Sequence, residues 1–141
     1  MEDCITWWYS CSKRIFRTRT FSRWMQYSGL TDSALRKAVF EMAQGLYDAD
    51  LGSYVVKKRI ALPGQGKRGG ARTIVATKLA ERWFFLYGLR KNERANIDQT
   101  ELKLLQELAK EFLSFDDHQL AIAIALAAGE IVEISSDIKQ T

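Results

Sequence analysis

Three short hydrophobic runs, residues 55–62, 72–77 and 83–89, sit in the middle of this chain between turn-forming residues, and they commit it to a sheet. Val, Ile, Thr and aromatic residues dominate the runs. Pro63 and a cluster of glycines break the first two apart, so consecutive runs fold back on one another as an antiparallel meander. Alternation along the first run places Val56, Ile60 and Leu62 on one face and Lys57 and Arg59 on the other. Lys58 breaks that pattern, and its ammonium is expected to snorkel to the rim. The third run, WFFLYGL, is apolar on both faces, which marks a central strand with Phe85, Tyr87 and Leu89 sharing the core.

Helical spacing flanks the meander. A short strand over 15–19 precedes a helix capped by Thr20 that passes through Trp24 and Met25 and ends near Gly29. Thr31 or Asp32 caps a second helix carrying Leu35, Ala38, Val39 and Met42, with Gly45 as its C-terminal stop. Residues 46–54 read as a connecting loop. Asp98 with Glu101 forms a capping box for a helix to about 114, striped by Leu102, Leu105, Leu108, Ala109 and Phe112. Asp117 caps another helix to about 128, and 131–134 alternate as a last short strand. The expected fold class is α+β: a small antiparallel sheet with the N-terminal helices on one face, followed by C-terminal helices. One domain is expected over 15–135, with an N-terminal extension at 1–14 and a tail at 136–141.

Charge is segregated along the sequence. Residues 57–94 hold eleven Lys or Arg against Glu81 and Glu93 alone, whereas residues 95–141 hold three bases and nine acids. A strand-forming segment that basic is suited to phosphates. No membrane partner is expected, because the longest apolar stretch, 120–128, is far short of a span of about 20 residues. The acidic start lacks the features of a secretory signal, and the reading is a cytoplasmic protein. Two cysteines and one histidine, His118, give no metal-ligand spacing, so neither metal nor cofactor is implied.

Several motifs gather cations. GQGKRGG lacks the spacing of a phosphate-cradling nucleotide loop and joins two strands; it reads as a hairpin tip bearing Lys67 and Arg68. Arg72 follows its glycines, and Arg90, Lys91 and Arg94 gather at the end of the third run. With Lys58 at the rim, these cations can converge on one surface, where mutual repulsion favours an anion as partner. No Ser-His or Cys-His arrangement accompanies them. RNA can still be cut there without metal, because its own 2′-hydroxyl is the nucleophile and cations stabilise the pentacovalent phosphate. A lysine whose pKa is lowered by neighbouring cations could serve as the base.

In order along the chain, FRTRTFSRWM, GLTDSALRKAVFEM, GLYDADLG, VVKKRIALPGQGKRGGARTIVA, RWFFLYGLRKNERANI and LAAGEIVEI resemble the RelE/HigB-type toxins of type II toxin–antitoxin modules, in particular their HigB-like branch. The resemblance covers about 15–135. It implies a RelE-like fold, ribosome-dependent endonucleolytic cleavage of mRNA, and a cognate antitoxin of helix-turn-helix DNA-binding type. By motif, Lys57 and Arg59 match the family's paired strand cations, Arg72 the arginine after the glycine turn, and Lys91 and Arg94 the cations of the post-strand motif. Asn92 stands where many relatives have Arg or His, and Ile97 where they end the motif with Tyr. The resemblance thus implies Lys57, Arg59, Arg72, Lys91, Asn92 and Arg94 as the catalytic set, with Lys58, Lys67, Arg68 and Arg90 on the RNA. Two alternatives stay open: a toxin of the same fold acting on another target such as DNA gyrase, and a non-catalytic RNA- or DNA-binding module.

Overall fold

The computed structural model describes residues 14–62, 66–78, 81–90, 97–125 and 131–134. Its first strand, β1 (Arg14–Thr18), runs directly into helix α1 (Arg19–Ser28). The cap is Thr18, not Thr20. Its hydroxyl accepts from the Phe21 amide and donates to the Leu86 carbonyl, both at 3.2 Å, so one side chain ends the strand, starts the helix and ties both to the sheet. Gly29 closes α1 in the left-handed conformation, and Thr31 caps α2 (Asp32–Ala43) as expected.

Residues read as a loop contain a further strand. β2 (Ala49–Gly52) pairs with β3 (Val55–Leu62) through a two-residue turn in which Ser53 and Tyr54 both have positive φ. The ADLG run has no β-branched residue, and its pairing comes from β3 rather than from its own propensity. β4 (Gly66–Lys78) and β5 (Arg82–Arg90) complete the meander, and β6 (Ile131–Ile134) follows helices α3 (Gln99–Ser114) and α4 (Asp117–Ala125). β4 thus begins six residues ahead of the expected start at 72, and the GKRGG segment belongs to a strand.

The six strands lie in the order β2-β3-β4-β5-β1-β6. The expected α+β class holds, and the sheet around the meander is mixed: β1 joins β5 in parallel and β6 joins β1 antiparallel. Helices cover both faces. Phe21, Trp24, Leu35, Val39 and Met42 of α1 and α2 pack on Val56, Ile60, Val75 and Phe85. On the other face, Leu105, Ala109, Phe112 and Leu120 of α3 and α4 pack on Val55, Ile74, Phe84 and Leu86. Phe84 is the hinge of that second core, stacked on Phe16 at 4.7 Å and on Phe112 at 5.3 Å.

Ion pairs secure the far edge of the sheet. Arg14 donates twice to Glu133 at 2.9 Å, and Arg82 holds the Phe115 carbonyl and Asp117 at the start of α4. The hydrogen bond to Glu133 raises the Arg14 pKa, with burial opposing. A raised pKa stabilises the fold below its unfolded value and is lost only as pH rises through the folded one, so Arg14 keeps its charge across the neutral range. Among the described residues no helix is long and apolar enough to cross a membrane. The expected extension at 1–14 falls outside the described residues except for Arg14, and the 136–141 tail lies wholly outside them.

Candidate nucleic-acid interface

Pairing register decides which cations meet. Arg59 lies opposite Arg72 on β4, and Arg72 lies opposite Leu89 on β5; one step along, Lys57 lies opposite Ile74, which lies opposite Tyr87. Directly paired residues share a face, so Lys57, Arg59, Arg72 and Tyr87 project together, on the side where α3 packs further down on Val55, Ile74 and Phe84. The core supports the row from below and leaves its outer end open: Arg59 is exposed, and Lys57, Arg72 and Tyr87 are half-buried.

This row is electrostatically primed. Two arginines directly opposite one another on adjacent strands repel. Among the described residues the buried Nη1 of Arg72 has no hydrogen-bond partner, an arrangement that costs about 1–3 kcal/mol. Asp48 sits close by, but its carboxylate accepts from the Arg59 backbone amide and closes the edge of β3 beyond β2.

Tyr87 reaches this face through a β-bulge. Val75 pairs with Phe85 and Ile74 with Tyr87, leaving Leu86 as the extra residue on β5. Strict alternation would keep Phe85, Tyr87 and Leu89 together. The bulge instead leaves Phe85 in the α1/α2 core and turns Tyr87 toward the cations, and the Leu86 carbonyl is held by the Thr18 hydroxyl.

Other expected contributors stand elsewhere. Lys58 is buried at 4% exposure on the α2 side, with its ammonium 2.7 Å from Glu41 and 2.9 Å from the Leu46 carbonyl. It does not snorkel to the rim, because a carboxylate meets it inside. Arg90 lies opposite Ala71, whose side chain belongs to the α1/α2 core, so the pleat sends Arg90 to the face opposite Arg72. Lys78 lies over the Tyr54 ring, and Arg82 is engaged at α4. Lys67 and Arg68 lie in β4 with side chains outside the described set, and Lys91, Asn92 and Arg94 lie outside the described residues altogether. Ile97 packs against the α3 core.

Beside the row, Tyr87 also lines a cleft of about 400 Å³ that runs between the start of α1 and the outer face of α3. Among the described residues, no group of three His, Cys, Asp or Glu side chains is placed to hold a metal ion. What fold and face define together is a small α+β domain with a row of cations on one sheet face, beyond the core that α3 covers. Residues 13–134 match the family model described as the RelE toxin of the RelE / RelB toxin-antitoxin system, and the chain belongs to that family. An antitoxin partner comes with the family. No curated protein matches the chain.

Proposed function

We propose that this RelE-family toxin inhibits translation by metal-independent, ribosome-dependent cleavage of mRNA, with Lys57, Arg59, Arg72 and Tyr87 as the reacting face. Toxins of this family are generally translation-dependent mRNA endoribonucleases. The observation that carries the reading is the Arg59–Arg72 pair, whose repulsion, with an Arg72 Nη1 that has no partner among the described residues, favours a phosphate.

In the proposed reaction the RNA 2′-oxygen attacks the adjacent phosphorus and the bond to the 5′-oxygen breaks, giving a cyclic phosphate and a 5′-hydroxyl end. Arg59 and Arg72 hold the non-bridging oxygens as their charge grows. Lys57 takes the 2′-proton, and the Tyr87 hydroxyl donates one to the leaving oxygen. Tyr87 fills the role that Ile97, packed on the core, cannot. By their motif positions, Lys91, Asn92 and Arg94 are proposed to belong to the catalytic set, and Lys67 and Arg68 to contact the RNA.

The same reading places the protein in the cytoplasm, in the HigB-like branch, as one toxin domain over 15–135 with flanking segments at 1–14 and 136–141. Its antitoxin is proposed to carry a helix-turn-helix DNA-binding domain. Mapping mRNA ends in a cell-free translation system tests it. Cuts that require translating ribosomes and vanish with Arg72→Ala support the reading, and intact mRNA with continuing protein synthesis sinks it. Intact mRNA with inhibited gyrase supercoiling would transfer the fold to the gyrase-directed alternative.

A further inference from the structure

The cleft beside Tyr87 has no role in cation contact or in the proposed reaction, yet it opens onto the same surface. Tyr87, Leu108, exposed Leu104 and buried Phe112 line it, together with exposed Arg19 and with Glu101. Its position follows from the order of strands. Arg72 is on β4, Tyr87 on the neighbouring β5, and β1, which delivers Thr18 and Arg19, is next. Arg72 and the end of β1 are thus two strand spacings, about 10 Å, apart across the sheet and offset by two to three residues along it, a span that one nucleotide and its neighbour cover.

We infer that this cleft is a base-binding subsite, taking one unstacked nucleobase of the RNA whose phosphate lies on Lys57, Arg59 and Arg72. The inference rests on the nucleic-acid reading of that row. A carbon-rich lining that includes the Tyr87 ring suits the face of a base, and single-stranded RNA is read through bases splayed onto aromatic side chains. The Glu101 carboxylate, one oxygen of which accepts from the Asp98 amide, repels a phosphate there, so this part of the lining favours a base over a backbone group. Exposed Arg19 on the far rim gives the next phosphate a cation, continuing the charge complementarity of the row across the cleft. Leu104, 64% exposed on α3, offers an apolar contact that a stacked base would cover.

Photocrosslinking with a short oligoribonucleotide carrying 4-thiouridine tests the site apart from cleavage. Wild-type protein should crosslink within the segments bearing Tyr87 and Leu104. Leu104→Trp, which fills the cleft from an exposed helix position, should lower that yield at least fivefold while leaving salt-sensitive retention of the RNA in place; Leu104→Ala should lower it less. In the translation assay, Leu104→Trp should still cut but with a flattened base preference beside the cut. An unchanged crosslink in Leu104→Trp, with Arg72→Ala still weakening RNA retention, overturns the subsite and leaves the cation row standing. An unchanged crosslink together with escape from the antitoxin overturns it in favour of a protein-docking groove. Absence of any salt-sensitive RNA retention by the wild type removes both readings at once.

Discussion

The Lys58 ammonium lies 2.7 Å from the Glu41 carboxylate, behind the sheet from Lys57 and Arg59. Thr73, fully buried, donates its hydroxyl to the Lys58 carbonyl at 2.9 Å, one residue from Arg72. A buried polar cluster thus pins β3 to β4 and to α2 at the level where the cations emerge on the other side. Removing one partner leaves a charge without its counterion. Lys58→Met or Glu41→Gln alone should cost about 2–4 kcal/mol, below the full buried-pair loss because Glu41 is a quarter open, and Lys58→Met with Glu41→Leu should recover most of it. Urea unfolding measures this; equal losses in the single and double variants would refute the pairing.

That topology separates neighbours in RNA affinity. Each cation on a single-strand phosphate contributes about 0.7 to the slope of log affinity against log salt. Arg59→Ala should reduce the slope by that amount in fluorescence anisotropy with a short oligoribonucleotide. Arg90→Ala, on the opposite face by register, should leave it unchanged. A slope that falls equally for both would mean the row is not the contact.

Much of this arrangement was legible in the sequence because it depends on local periodicity. The parity of Lys57 and Arg59 against Val56, Ile60 and Leu62 holds along β3, and the capping box at Asp98 and Glu101 forms as its spacing requires. Tertiary partners decided the rest. Nothing near Lys58 in the sequence says that Glu41 meets it under α2, and β2 owes its pairing to β3. The bulge at Leu86 shifts every later side chain of β5 by one face, which turned Tyr87 from expected core into a member of the row and sent Arg90 away from it. Gly88 within the run is the local sign of such a bulge, and the Thr18 hydroxyl holds the Leu86 carbonyl from 68 residues away.

Two glycines should prove intolerant for steric reasons. A Cβ at Gly88 would collide with the six-membered ring of Trp24, itself 8% exposed, and a Cβ at Gly70 would strike the Ile60 carbonyl. Gly88→Ala should cost about 1–3 kcal/mol through displaced packing. Gly70→Ala should cost at least as much, since backbone yields less readily than a side chain, and should distort the β3–β4 pairing that aligns Arg59 with Arg72. Thermal unfolding of the two variants checks the order.

Tyr87 gives the sharpest test of chemistry on this face, because its ring and its hydroxyl have separate jobs there. The ring walls the cleft, and the hydroxyl shares a row with Lys57. Tyr87→Phe keeps the wall and removes the proton donor, so single-turnover cleavage on ribosomes should fall about 100-fold while RNA affinity stays within about twofold. Tyr87→Ala also opens the wall, and should weaken affinity and crosslinking as well as cleavage. Full cleavage by Tyr87→Phe would assign the leaving-group proton to another residue, and the undescribed Lys91–Arg94 motif would be the place to look for it.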